Sequence, residues 1–181
     1  MMRLKYKIAI SFISLLAFFI LNFTFSSCGV YSFNDVGTIP DSVKSVRINI
    51  IENRAPYVNP QLSPNLTDKL KQKITSQTRL TSTTNDNADW ELSGEIRDYS
   101  VSTSGVTTTN SGRQQSSINR LTVSVHIILL NQLSGLTQEY DVSRSFDFSA
   151  SQSMQQAENA LLDEMIRNLT DEIFNRIFSN W

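Results

Sequence analysis

The chain has 181 residues, with 16 Lys and Arg against 17 Asp and Glu, one Cys and one His. One Cys cannot form an internal disulfide, and one Cys with one His falls short of the three or four ligands of a His/Cys zinc site. A hydrophobic share of 40 %, a charged share of 18 % and a formal net charge of −1 exclude a disordered chain or a coiled coil and leave no electrostatic footprint for nucleic acid.

Arg3, Lys5 and Lys7 open the chain with no acid among them. Ile8 to Phe25 follows as an apolar run broken only by Ser11, Ser14, Asn22 and Thr24. A basic start and an apolar core are the pattern of a bacterial secretory signal, although the run is also long enough for a membrane helix. Its end decides between them: Phe25-Ser26-Ser27-Cys28-Gly29 sets small residues directly before the only Cys. This is similar to a lipobox, where signal peptidase II cleaves before the Cys and the Cys is acylated. The expectation is a lipoprotein signal peptide over residues 1–27, lipid attachment at Cys28, and one mature domain over 28–181. Each buried methylene contributes about 0.8 kcal/mol, so two or three acyl chains on Cys28 anchor the protein without a spanning helix. Loss of the leader leaves 13 basic against 17 acidic residues, so the tether to an anionic surface is acyl rather than electrostatic. Gly29, not Asp, follows Cys28, and the first acid is Asp35. By resemblance to sorting signals this points to the outer membrane, on its periplasmic side.

The first strand is predicted over Val43 to Ile51, where Val46, Ile48 and Ile50 alternate with Ser45, Arg47 and Asn49. Asn53 to Pro64 carries three of the four prolines and reads as a loop. A helix follows over Ser63 to Gln77, with Ser63 as cap, Pro64 in the favoured first position, and Leu66, Leu70 and Ile74 as its apolar stripe. Thr81 to Asp89 is polar and reads as a loop. The second strand, Trp90 to Val101, turns Trp90, Leu92 and Ile96 one way. After Asp98 the apolar parity passes to Tyr99 and Val101, which implies a bulge or a twist.

Ser102 to Ser117 holds twelve Ser, Thr, Gly or Asn in sixteen residues, with Arg113 inside it. Such a stretch buries no core; it is either a loose loop or the tip of a long hairpin ordered by a partner. The third strand, Ile118 to Leu130, puts Leu121, Val123, Val125, Ile127 and Leu129 on one face and Thr122, Ser124 and His126 on the other. The fourth, Glu139 to Ser149, puts Tyr140, Val142, Phe146 and Phe148 opposite Asp141, Ser143, Ser145 and Asp147. Gly135 serves the turn between them. The final helix runs over Ser151 to Phe178, with a stripe from Leu161 through Met165, Leu169 and Ile173 to Ile177.

Two amphipathic helices and four one-sided strands give an α+β fold of order β-α-β-β-β-α, with both helices on one face of a four-stranded mixed sheet. The strand–helix–strand start makes the first pair parallel, and the hairpins after it are antiparallel. The outer face is rich in Ser, Thr, Arg, Asp and Glu, which suits either bulk water or the polar interior of a membrane barrel. Catalysis finds little here. His126 is the lone imidazole and reads as a surface or partner-facing strand residue. Glu91 and Glu95 share a face but stand about 13 Å apart along a strand. No Gly-rich phosphate loop precedes a helix, and no cofactor is implied.

Cys28-Gly29-Val30-Tyr31-Ser32-Phe33, Ile39-Pro40-Asp41-Ser42-Val43-Lys44-Ser45-Val46, Arg120-Leu121-Thr122-Val123, Val142-Ser143-Arg144-Ser145-Phe146 and the Glu158 to Ile177 helix together resemble the LptE family of lipopolysaccharide-assembly lipoproteins. The resemblance runs from Cys28 to the C-terminus. It implies two helices on a four-stranded mixed sheet, and a non-catalytic subunit of the lipopolysaccharide translocon. Such a subunit sits in the lumen of the outer-membrane barrel LptD, assists its assembly and helps deliver lipopolysaccharide to the outer leaflet. Some members of the family contact lipopolysaccharide phosphates through basic residues near the central hairpin and before the last helix. Arg113 and Arg120 are the candidates in the first region, whereas Ser149 to Asn159 holds no Lys or Arg. A free-standing lipid carrier, with an apolar cavity between helices and sheet, is the alternative; a hydrolase using His126 is a third.

Overall fold

The computed structural model describes residues 39–108 and 114–179. The segment expected to be a signal peptide, Cys28 and Arg113 lie outside the described residues. In chain order the elements are β1 (Ser45–Asn53), α1 (Leu62–Gln77), β2 (Thr81–Ser82), β3 (Trp90–Thr108), β4 (Gln114–Asn131), β5 (Leu136–Ser149) and α2 (Met154–Phe178). The sheet order is β2-β1-β3-β4-β5. β1 runs parallel to β2 and β3, while β3–β4 and β4–β5 are antiparallel hairpins.

The sheet therefore has five strands, not the expected four. The added strand, β2, lies inside the polar stretch read as loop. It is recruited by backbone alone: Thr81 N–H donates to Lys44 O (2.9 Å) and Thr83 N–H to Val46 O (3.0 Å). Two residues carry no side-chain period from which such a strand could be read. The Ser/Thr tract likewise continues β3 and β4 as one long ladder, paired out to Thr108 and Gln114. Of the two readings left open for that tract, the described part takes the hairpin.

The predicted stripes meet in one core. Leu62, Leu66, Leu70 and Ile74 of α1 and Met165, Leu169, Ile173 and Phe178 of α2 pack with the inward residues of β1, β3, β4 and β5. On β4, Leu121, Val123, Val125, Ile127 and Leu129 are all buried, as their alternation predicted. Each such aliphatic side chain contributes about 1.5–3 kcal/mol on full burial. The α1/α2 face is amphipathic, and among the described residues no helix is long and apolar enough to cross a membrane.

Two bulges reset which residues face this core. The expected parity change in β3 is a register shift between Ile96 and Asp98, and it sends Tyr99 inward. A second shift, between Ile48 and Ile51 of β1, departs from the strict alternation of that strand. Alternation put Ile50 beside Val46 and Ile48; instead Ile50 is 69 % exposed and Ile51 is fully buried in its place. The Ile50-Ile51 doublet was the only sign of it. Gly94 answers a close approach: a Cβ there would stand 2.7 Å from both the His126 carbonyl and Ile127 Cδ1.

Helix starts also differ from expectation. α1 begins at Leu62, and Gln61 in the cap position makes no side-chain cap bond. Ser63 is not the cap, because its hydroxyl donates to the Ile51 carbonyl (2.6 Å). α2 begins at Met154 rather than Ser151, with a reciprocal capping box between Ser153 and Gln156. Gly135 takes the turn before β5 with φ +71°, as expected.

Candidate interaction surface

Period-two alternation sends the polar half of β3, β4 and β5 to the sheet face away from the helices. There the side chains form a ladder between directly opposed residues of β4 and β5. Arg120 donates to Asp147 through two nitrogens (2.7 and 2.8 Å), Thr122 meets Ser145 (3.0 Å), Ser124 meets Ser143 (3.0 Å), and His126 Nδ1 meets Asp141 (2.8 Å). β3 extends the ladder, with Arg97 joined to Glu95 (2.7 Å) and lying 3.6 Å from Asp141. Toward β1, Glu91 accepts from Asn49 (2.8 Å) and Gln132 (3.2 Å) and pairs with Arg47 (2.8 Å), which also pairs with Asp86.

These contacts set the protonation states. The hydrogen bond from Arg120 holds Asp147 below the usual carboxylate range, and Asp147 in turn raises Arg120. Arg47 does the same to Glu91, chiefly through its hydrogen bond, and Arg97 to Glu95. The face is thus a charged surface already paired with itself. Near β1 it opens into a shallow basin lined by Ile50, Arg54, Glu95, His126 and Ile128.

Of the candidates for lipid attachment and lipopolysaccharide contact, Arg120 alone lies among the described residues. It stands half-exposed on β4, its guanidinium fork taken up by Asp147. Cys28 and Arg113 fall outside, so no pairing of Arg113 with Arg120 is described. His126 departs from its reading as a surface residue. Its side chain is 5 % exposed, walled in by Asp141 and by Glu139 at 3.6 Å. Flanking side chains on a sheet face can bury a residue that parity alone marks as wet. Glu91 engages Arg47, and Glu95 engages Arg97. Among the described residues no group of three or more His, Cys, Asp or Glu could hold a metal ion.

One polar cluster went unread in the sequence. Glu158, in the early turns of α2, is 8 % exposed and accepts from Tyr57 Oη (3.1 Å), Asn59 Nδ2 (3.2 Å) and Tyr99 Oη (2.8 Å). The two tyrosine rings stack at 5.4 Å. Burial first, then the bond to Glu158, pushes the Tyr99 hydroxyl far above its ordinary value; for Tyr57 the bond to Glu158 comes first. The cluster ties the β1–α1 loop, β3 and α2 together. Only the parity switch at Tyr99 hinted at it, since Tyr57 and Asn59 lie in a loop without period.

A family model described as LptE, lipopolysaccharide-assembly, matches residues 43–177. The search of curated proteins found no match. Several solved structures are similar. The minor lipoprotein from Acinetobacter baumannii is 16 % identical, over 77 % of this chain and 95 % of that one, with a TM-score of 0.48. The rare lipoprotein B from Shewanella oneidensis is 13 % identical, over 74 % and 93 %, with a TM-score of 0.44. Lipoprotein B from Nitrosomonas europaea is 19 % identical, over 75 % and 80 %, with a TM-score of 0.40.

Proposed function

The chain belongs to the LptE family of lipopolysaccharide assembly, a non-catalytic family, and from that premise we propose that it is the lipoprotein subunit of the lipopolysaccharide translocon. On this reading residues 1–27 are removed, acylated Cys28 holds the domain over 28–181 on the periplasmic side of the outer membrane, and the domain seats in the lumen of an LptD-type barrel. The observation that carries the reading is the outer sheet face. Its ladder of hydroxyls and ion pairs, from Arg120–Asp147 to His126–Asp141, offers a polar wall a continuous polar surface, while the helices occupy the other face.

Arg113 and Arg120 are the proposed phosphate contacts on lipopolysaccharide. For Arg120 a phosphate has to displace Asp147, an exchange of one bidentate anion for another. The lipid-carrier alternative needs a cavity between helices and sheet. The centre of that space is filled by Leu66, Leu70, Ile127 and Leu169, each with no exposed surface, and a small open pocket beside Trp90, Leu129, Tyr140 and Ile177 lies at its rim.

The test is photo-crosslinking from Thr122 and Ser143 in intact cells, followed by affinity purification from solubilised outer membranes. The expected product is an adduct with one large β-barrel, and metabolic palmitate labelling that disappears in Cys28→Ala. Recovery without any barrel, or no barrel adduct from either position, overturns the docking reading; unlabelled protein overturns the anchor. Charge reversal at Arg113 and Arg120 with unchanged lipopolysaccharide binding removes the phosphate assignment.

A further inference from the structure

The two edges of the sheet are finished differently. On one side β2 covers β1 for two residues. Beyond it the Ser63 hydroxyl donates to the Ile51 carbonyl (2.6 Å), and the Ile51 N–H donates to Thr67 Oγ1 (3.0 Å). Side chains of α1 thereby satisfy that edge at Ile51.

β5 is the other edge. It pairs with β4 along all 14 of its residues without a register shift. Natural sheets interrupt exposed edges with bulges, Pro or charged side chains, or keep them very short; β5 is long and has neither bulge nor Pro, and its charges are the inward Arg144 and the carboxylates of its outer face. No hydrogen bond from any other described element reaches the outward backbone groups of residues 137–148. Every second residue there presents an N–H and a C=O to whatever lies alongside, the arrangement that accepts an added strand.

The side chains state what kind of strand fits. On the outer face β5 carries Glu139 and Asp141, with side chains 64 % and 79 % exposed although His126 and Arg97 lie beside them, and then Asp147, which Arg120 already occupies. Its one Arg, Arg144, is on the opposite face and pairs with Glu172 of α2. That opposite face also carries Tyr140, Val142 and Phe146. We propose that β5 docks an extended segment of a partner protein that bears Lys or Arg at every second position, facing Glu139 and Asp141, with apolar residues between them. A closed barrel's staves have no free edge to offer, so the segment is a tail or loop. A second copy of this chain would lay the same carboxylates on one continuous face, where like charges oppose. The proposal is independent of the seat in a barrel lumen and fails separately from it.

The experiment uses the full chain in detergent and a labelled peptide of five alternating Lys-Val pairs, blocked at both ends. Binding is followed by anisotropy at physiological salt, and amide exchange is read residue by residue. The expected result is saturable binding, with exchange slowed about tenfold or more within residues 137–148 and nowhere else. The same peptide methylated on every backbone nitrogen keeps its charge and loses its donors; it is expected to bind at least about tenfold more weakly. Glu139→Lys is expected to weaken binding by about threefold or more, with Glu139→Gln serving where the reversal disturbs folding. Equal binding of the methylated peptide, protection on another element, indifference to both Glu139 variants, or self-association through β5 in the absence of peptide each overturns the proposal.

Discussion

The two faces of the sheet are built from the same strands and differ in what holds them. Inward, Leu121, Val123, Val125, Ile127 and Leu129 of β4 pack under two helices and are all but hidden from water. Outward, the intervening Arg120, Thr122 and Ser124 are held by single cross-strand partners on β5, and His126 by Asp141 with Glu139 beside it. Burial scales with area removed from water, whereas an exposed polar pair exchanges one hydrogen-bonded state for another. The inner face therefore carries the stability and the outer face carries the pattern of charge that a partner meets.

The largest expected effect breaks this comparison most directly. Ile127 is fully buried and its Cδ1 lies over Gly94. Ile127→Ala is expected to lose about 2–5 kcal/mol, from lost transfer energy plus the cavity left behind. Thr122→Ala, five residues earlier on the other face, is expected to change stability by about 1 kcal/mol or less. Urea unfolding of the two variants measures both. Comparable losses would mean that the polar ladder is a second stabilising layer and that the division between the faces is wrong.

A middle-sized effect sharpens the comparison, because the Glu158 cluster is polar yet lies on the inner side. Glu158→Ala strands the buried Tyr99 hydroxyl and the Asn59 amide together. Leaving such donors unpaired costs about 1–3 kcal/mol each before relaxation, so a loss of about 2–3 kcal/mol is expected. Tyr57→Phe removes one donor at a half-exposed position and is expected to cost about 1 kcal/mol or less. A Glu158→Ala protein as stable as its parent in thermal and urea unfolding would show the cluster to be incidental.

What the sequence made legible follows the same division. The stripes of α1, α2 and β4 were readable because burial imposes a period, and the parity switch at Tyr99 was readable because both of its arms are apolar. Ile50 was misplaced, since a bulge inserts one residue that alternation has no means to register. β2 left no trace because backbone groups alone make it. The surface was legible only as composition: Thr122, Ser124 and Asp147 were assigned to the outer face, but their partners follow from strand register. Glu158 was hidden for a related reason, because its donors come from residues about 60 and 100 positions away.

The smallest effect concerns acid, and it separates the faces by charge rather than by packing. Asp89, just before β3, accepts from the N–H groups of Lys44 (2.8 Å) and Ser45 (2.9 Å) and from the Ser45 hydroxyl (2.9 Å). The Lys44 bond leads in lowering its pKa. A carboxyl whose folded pKa lies below its unfolded value contributes stability in full above the unfolded pKa, about 3.9 for Asp, and loses it as pH falls through the folded value. Asp147 and Glu91 are lowered in the same way by Arg120 and Arg47. The parent protein is therefore expected to hold a level Tm from neutral pH down to about 5 and to lose it below about 4. Asp89→Asn is expected to start lower at neutral pH and to converge on the parent as the pH drops, because the charge it lacks is then neutralised in both. Ile127→Ala is expected to run parallel to the parent at every pH, since no proton is involved. An Asp89→Asn deficit that stays constant between neutral pH and pH 3 would assign the role of Asp89 to shape alone, and would leave the acid sensitivity to the ladder of the outer face.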